Sequence, residues 1–253
     1  MNPLKVTGVI PVYNHEHAVP AVAANLRAQG LPVVLVDDGS NESCRLALER
    51  LAAETGDTLV GLPINGGKGA AVIAGLRRAL ELGFTHALQV DADGQHDLRD
   101  VPKFLAAARA EPDAVICGRP VFDESIPKVR FISRYITHVL VWLQTLSTSR
   151  VRDSMCGFRL YPLKTVLQVV DQDGVGRRMD FDVELLVKLV WRGRTLRWID
   201  TRVSYPTDGI SHFRMLYDNL RLAGMHVRLV LGMVWRAPLL VWRRMRHWTP
   251  PAP

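Results

Sequence analysis

Short, almost wholly apolar runs alternate with longer amphipathic stretches through the first 120 residues, and this rhythm limits the fold more tightly than any other feature of the chain. Residues 6–11, 32–37, 59–62, 87–90 and 114–117 are four to six residues long and dominated by Val, Leu, Ile and Ala. A helix needs more length than that, and a strand with one wet face would alternate apolar with polar. Runs apolar throughout therefore read as strands of a parallel sheet covered on both sides. Between them, residues 19–29, 42–53, 69–82 and 98–110 carry helical patterns. Pro20 suits a first turn, Gly30 and Gly83 suit stops, and Ser40 and Asn41 suit caps. Regular strand–helix alternation gives an α/β fold with a mostly parallel central sheet flanked by helices. With 253 residues, 48% of them apolar, the chain can bury a sizeable core.

After Arg119 the pattern changes. Residues 131–146 place Ile132, Ile136, Val139, Leu140 and Leu143 at helical spacing. Residues 182–191 form a second helix, and 196–205 a strand pair or one extended run. From 226 to 248 the chain holds Arg228, Arg236, Arg243, Arg244 and Arg246 with no acid, interleaved with Trp235, Trp242 and Trp248. That mixture suits a membrane interface. Arg236 and Pro238 interrupt its apolar run well short of the ~20 residues a crossing needs, so attachment is expected to be peripheral. A packed C-terminal helix with arginines on its wet face is the alternative. Residues 249–253 are expected to be a loose tail.

The net charge is +7 and the pI about 9.7. A basic balance allows nucleic acid, anionic lipid or phosphorylated substrates as partners; with no recognition motif for nucleic acid, none is expected to bind. Cys44, Cys117 and Cys156 are sparse and lack a C-x-x-C pair, which points to a reducing compartment without structural zinc. Residues 1–5 lead straight into a strand, so no signal peptide is expected, and the expected place is cytoplasmic.

The segment Val90-Asp91-Ala92-Asp93-Gly94-Gln95-His96 carries the chemistry. In a strand, residues i and i+2 point the same way, so Asp91 and Asp93 can converge on one cation where the strand runs out. Oxygen ligands with positions left open suit Mg²⁺ or Mn²⁺ shared with substrate phosphates. Gln95 adds an oxygen at the same spacing, and His96 is a further candidate ligand. Alone, D-x-D equally reads as a turn; its place at a strand's C-terminal end favours a ligand site. Three more loops follow strand ends: Pro11-Val12-Tyr13-Asn14, Asp37-Asp38-Gly39-Ser40 and Asn65-Gly66-Gly67-Lys68-Gly69. In a parallel sheet all four share one edge. Together they suit a nucleotide diphosphate, with Asp38 on base or ribose hydroxyls and Lys68 opening a helix where anions are favoured. The glycine loop is no P-loop, since Leu62 and Gly69 fill the places of its first Gly and its Ser/Thr. Pro-Val-Tyr-Asn after the first strand excludes a dinucleotide fingerprint.

These four segments, in order, resemble the family 2 glycosyltransferases of GT-A fold, a nucleotide-diphospho-sugar transferase fold. Within that family the chain is most similar to dolichol-phosphate mannose synthases and related polyprenyl-phosphate glycosyltransferases. Asp153-Ser154-Met155-Cys156-Gly157-Phe158-Arg159-Leu160-Tyr161 and Met179-Asp180-Phe181-Asp182-Val183-Glu184-Leu185-Leu186 extend the likeness into the second half. It implies a catalytic domain over 1–225, with a donor half at 1–119 and an acceptor half at 120–225, followed by the interface segment at 226–253. Pro11, Tyr13, Asn14 and Asp38 are implied to line the base and ribose pocket, with Lys68, Asp91 and Ala92 also on the nucleotide-sugar. Asp91, Asp93 and Gln95 are implied to hold the metal, and Arg119 to lie near the phosphates. Arg130, Ser133 and Arg134 fall where the family gathers an acceptor phosphate. Two positions depart from the family. Asn14 replaces a frequent glutamate, and His212 stands where a lysine commonly meets donor phosphates, which shifts attention to Arg214.

The resemblance implies an inverting transfer of a sugar from a UDP- or GDP-linked donor to a polyprenyl phosphate or other lipid, on the cytoplasmic face of a membrane. A phosphate acceptor is already anionic and needs only positioning. A hydroxyl of a lipid or glycan would need a carboxylate base. Asp153 is the first candidate, then Asp180 or Asp182, whose alternative role is helix capping; Asp93 is the other catalytic candidate. A catalytically silent nucleotide-sugar-binding module is the reading from another class, and the intact Asp91, Asp93 and Gln95 speak against it.

Overall fold

The computed structural model describes residues 3–122, 128–147, 151–203 and 215–246. His212, Arg214 and Trp248, with residues 204–205 and the tail, lie outside the described residues. The described strands are β1 (Val6–Val12), β2 (Val33–Asp37), β3 (Thr58–Gly61), β4 (His86–Gln89), β5 (Val115–Phe122), β6 (Arg159–Pro162) and β7 (Leu196–Val203). They make one sheet in the order β3-β2-β1-β4-β6-β5-β7. The four strands from β3 to β4 are parallel, as are β5 and β7; β6 alone runs against both its neighbours, β4 and β5. The expected mostly parallel α/β sheet is therefore present.

Helices α1 (Val19–Ala28), α2 (Glu42–Thr55), α3 (Lys68–Glu81) and α4 (Val101–Ala110) fill the expected crossovers. Asn41 accepts the Cys44 N–H at 2.9 Å and caps α2, which ends on Gly56 at φ 73°. A 3-10 turn, Leu98–Asp100, precedes α4, so the stretch expected as one helix is two pieces. Two apolar clusters sandwich the sheet. One gathers Val19, Leu26, Leu48 and Phe104 of α1, α2 and α4 under Ile10, Leu35 and Ile116. The other is built by α3 with the later helices α6 (Leu163–Asp173) and α7 (Phe181–Trp191). Every residue of α7 from Phe181 to Val187 is buried, Asp182 and Glu184 included.

Residues 196–203 form one strand beside β5 rather than a hairpin. The helix expected at 131–146 is α5 (Lys128–Thr145), and the C-terminal segment is α8 (Met215–Arg246), 32 residues long. The division at residue 225 falls inside α8, which continues through Arg236 and Pro238. Gln144 of α5 donates to His226 Nδ1 of α8 at 2.9 Å, and Trp191 of α7 donates to the Gln144 carbonyl at 2.8 Å. Arg243 of α8 donates to the Trp191 carbonyl at 2.7 Å.

Candidate active site

The strand order turns at β1, since β2 and β3 lie to one side and β4 to the other. Ligands of open α/β sheets bind at such a point, outside the strands' carboxyl ends. The loops after β1, β2, β3 and β4 all emerge there. Asn14 stands at φ 53°, a left-handed conformation that Asn tolerates. Its Oδ1 accepts the Asn41 N–H at 2.8 Å, and its own N–H donates to Ser40 Oγ at 3.1 Å, which ties the first loop to the second. Pro11 and Tyr13 are half-buried beside it.

Asp38 is 3% exposed. Its oxygens accept the Gly66 N–H at 2.8 Å, the Gly67 N–H at 2.9 Å and the Asn65 amide at 3.2 Å. The carboxylate expected to face base or ribose hydroxyls thus binds the glycine loop. Burial raises its pKa against those same N–H groups. Arg178 clasps the loop from the other side, donating to Asn65 Oδ1 at 3.1 Å, while the Arg177 carbonyl accepts the Ala70 N–H at 2.8 Å.

β4 ends at Gln89, so Asp91 and Asp93 stand in a turn, with Gly94 at φ 71°. The strand rule invoked for their convergence does not apply. The turn brings them together instead: Asp91, Asp93, Gln95 and His96 line one cavity of about 90 Å³ with Arg134 and Gly157. Ala92, between them, is 3% exposed and packed in the apolar core, so only its backbone is available to a nucleotide. The Lys68 ammonium lies 2.8 Å from Asp91 Oδ1 and 2.9 Å from Asp182 Oδ2. Burial works against that charge, but Asp182 and Asp91 outweigh it and hold the lysine above its ordinary pKa. Burial also works to raise Asp91, yet Lys68 and then His96 keep it below the usual carboxylate range. Asp93 accepts the Gln95 N–H at 3.0 Å, and burial followed by the charge of Asp91 raises its pKa.

A second layer supports this cluster. Gln89 donates to Asp182 Oδ1 at 3.1 Å and accepts from the Tyr161 hydroxyl at 3.1 Å. Arg159, 1% exposed, donates to the carbonyls of Asp182 at 2.7 Å and Ser154 at 2.9 Å. A Cβ on Gly157 would sit 2.7 Å from the Lys68 ammonium and 2.9 Å from both Asp91 Oδ2 and Gln89 Nε2, so any larger residue would displace those polar groups. Gln89, Arg159 and Arg178 went unmarked at the sequence level. A polar residue ending an apolar strand and an arginine inside an apolar one were the available signals.

Asp153 is 7% exposed and holds Arg134 by paired bonds of 2.8 Å, while its Oδ1 also accepts the Met155 and Cys156 N–H groups at 2.9 and 2.7 Å. Three of these bonds fall on Oδ1 and one on Oδ2, so the carboxylate that was the first candidate base also orients Arg134. Asp180 accepts the Arg178 N–H at 3.1 Å and Asp182 serves Lys68 and Gln89, so neither caps α7 by its side chain. Arg119 is bound to Asp200 on the surface, with Nε 2.6 Å from Oδ1, and lies outside the cavity lining. Ser133 is exposed on α5; the Arg130 side chain lies outside the described ones.

The donor set suits a hard divalent cation. Two carboxylates share a small polar cavity with an amide, and the buried His96 nitrogens make no hydrogen bond among the described residues, Nε2 lying 3.6 Å from Asp91 Oδ2. No cluster of three or more His, Cys, Asp or Glu able to hold a metal occurs among the described residues; substrate oxygens would complete the shell.

Residues 7–173 match the family described as glycosyl transferase family 2. The chain is 27% identical over 205 residues to the undecaprenyl-phosphate mannosyltransferase of Micrococcus luteus, covering 76% of this chain and 81% of that one. It is 26% identical over 197 residues to the UDP-N-acetylglucosamine–dolichyl-phosphate N-acetylglucosaminyltransferase of Methanococcus voltae, covering 71% and 77%. In fold it is similar to the glucosyl-3-phosphoglycerate synthase of Mycobacterium tuberculosis, solved with Mn²⁺, uridine diphosphate and phosphoglyceric acid. That likeness has a TM-score of 0.66 at 14% identity, over 91% of this chain and 78% of that one.

Proposed function

The chain belongs to glycosyl transferase family 2, and from that premise we propose that it moves a sugar, with inversion, from a UDP- or GDP-linked donor to a polyprenyl phosphate or related lipid. The observation that carries this reading is the placing of Arg134. Asp153 grips the guanidinium by two bonds and aims it at the cavity that holds Asp91 and Asp93. A cation fixed opposite two carboxylates suits a site where a second anion must approach the donor. The names of the relatives from Micrococcus luteus and Methanococcus voltae supply that anion, a lipid phosphate.

Asp91 and Asp93, with Gln95, would hold Mg²⁺ or Mn²⁺, which supplies charge neutralisation for the departing nucleoside diphosphate. Lys68 keeps Asp91 ionised and its carboxylate fixed beside Asp182. The loops at Pro11–Asn14 and Asn65–Gly67 receive base and ribose. Arg134 holds the acceptor phosphate so that its oxygen faces the anomeric carbon from the side opposite the leaving diphosphate. The new C–O bond forms as the old one breaks, and the electron pair leaves with the diphosphate. A phosphate monoester oxygen needs no proton removed, which agrees with Asp153 being paired with Arg134. The setting we propose is peripheral, on the cytoplasmic face of a membrane.

The test is product analysis with UDP- and GDP-sugars offered polyprenyl phosphate or the matching polyprenol, with Mg²⁺, Mn²⁺ or excess EDTA. Transfer to the phosphate alone, abolished by EDTA, is expected. Transfer to the polyprenol would instead require a carboxylate base and would return attention to Asp153. Arg134→Ala should weaken acceptor binding by about 1.5–3 kcal/mol and leave donor binding nearly unchanged. Equal losses in separate titrations would refute that division.

A further inference from the structure

Fourteen of the nineteen large hydrophobic side chains that stand exposed among the described residues lie on two helices, α5 and α8. Along α8, Tyr217, Leu220, Val227, Leu231, Val234 and Val241 are spaced by three, four or seven residues, which is one face of a helix. Trp235, beside that line, is 87% exposed. On α5, Tyr135, Ile136, Val139 and Leu143 repeat the spacing and are 42% to 59% exposed. The two helices are neighbours, joined through Gln144 and His226, and each carries an exposed apolar stripe.

What covers these stripes is indicated by charge. The sequences of α5 and α8 contain nine cationic side chains, of which Arg134 and Arg243 bind within the protein, and one acid, Asp218, which is 6% exposed. A second copy of the chain would bring like charges together; an anionic surface would not. By length and composition the stretch Tyr217–Arg243 is apolar enough to cross a bilayer. Its inner face is already occupied, however. Met225, Leu229, Met233 and Leu240 are buried in the core, Arg236 lies 4.6 Å over the Trp191 ring, and Arg243 holds the Trp191 carbonyl. Crossing would strip that packing and carry Arg228 and Arg236 into hydrocarbon. Arg243, expected to meet lipid headgroups, instead pins the helix to the protein.

We propose that the outer faces of α5 and α8 form one surface that lies flat on an anionic bilayer, with α8 parallel to the membrane plane. This deepens the lipid-acceptor reading and rests on it in naming a bilayer as the occupant. Trp235 and the aliphatic line enter the acyl boundary to a depth of roughly 5–10 Å, as in-plane helices do.

The experiment uses the whole chain with vesicles of phosphatidylcholine containing phosphatidylglycerol, and with pure phosphatidylcholine as the control. Wild type should sediment with the anionic vesicles, and an alkaline carbonate wash should release it. Ile136→Glu with Val139→Glu on α5, and Leu231→Glu with Val234→Glu on α8, change exposed side chains only. Each pair should lower the bound fraction by about tenfold, with unchanged UDP or GDP binding in the presence of Mn²⁺. Wild type that binds nucleotide but ignores anionic vesicles overturns the proposal. So does retention after the wash, which means crossing, or a lipid-free dimer that the α8 pair disperses. Release by the α8 pair alone overturns the composite surface. Sedimentation without any nucleotide binding would support the surface while refuting the donor reading, so the two can fail separately.

Discussion

Asp91 and Asp93 are two residues apart and line one cavity, yet they stand in opposite electrostatic positions. Asp91 is paired with Lys68, whereas Asp93 accepts a single backbone N–H and faces the charge of Asp91. Asp91→Asn would leave a buried ammonium with Asp182 as its remaining partner and should destabilise the protein by about 1–3 kcal/mol. Asp93→Asn removes a like charge and should leave the melting temperature in EDTA unchanged or raised. Both should abolish transfer. Calorimetry of the two variants separates them, and equal destabilisation would refute the division. The D-x-D spacing was legible at this scale. The partners were not, because Lys68 reaches Asp91 from 23 residues away and Asp182 reaches Lys68 from 114, separations that no local pattern encodes.

At the scale of elements, the loop between α6 and α7 holds the glycine loop before α3. Arg178 and the Arg177 carbonyl bind Asn65 and Ala70, and a Cβ on Gly67 would lie 2.4 Å from Arg178 Cγ. Arg178→Ala should free Asn65 and loosen the N–H groups that Asp38 gathers. The expected result is a donor KM raised several-fold with kcat changed little, and restored in part by Arg178→Lys. A fall in kcat at constant KM would place Arg178 in the chemistry instead. Gly157→Ala should be more severe, since its Cβ meets Lys68, Asp91 and Gln89 together; a loss of about 2 kcal/mol or more is expected from breaking that buried network, read as a lowered denaturation midpoint. The first five strands and the crossover helices could be read from apolar runs. β6 could not, because Arg159 at its start and Pro162 at its end mask it. Arg159 is tolerated inside only because carbonyls of Asp182 and Ser154 receive it. α8 was read from residue 226 and begins at 215; Arg236 and Pro238 interrupt its apolar run in sequence, but Arg236 stacks on Trp191 and Pro238 lies on the exposed side of the helix.

Across the whole molecule, buried histidines make stability depend on pH. His86 bridges Thr85 and the Pro112 carbonyl, and His226 faces Gln144; burial lowers the pKa of both. Each stays neutral in the folded chain at a pH where the unfolded chain takes up a proton. Their contribution is complete above the unfolded value near 6.5 and is lost as pH falls toward the folded values. The unfolding free energy should therefore decline between pH 7 and pH 5, less steeply in His226→Gln; an unchanged slope would show that His226 plays no part. The reversed strand β6 has a different consequence, one of timing. It is the only neighbour β4 has on that side, and it is reached 70 residues later in the chain. At roughly 5–20 residues per second, a growing chain exposes the free edge of β4 for several seconds after β1, β2 and β3 can close. A nascent chain halted before residue 159 would thus present an apolar, unpaired strand to any other such chain nearby, and the enzyme's yield in a cell is set in part by how that interval is guarded.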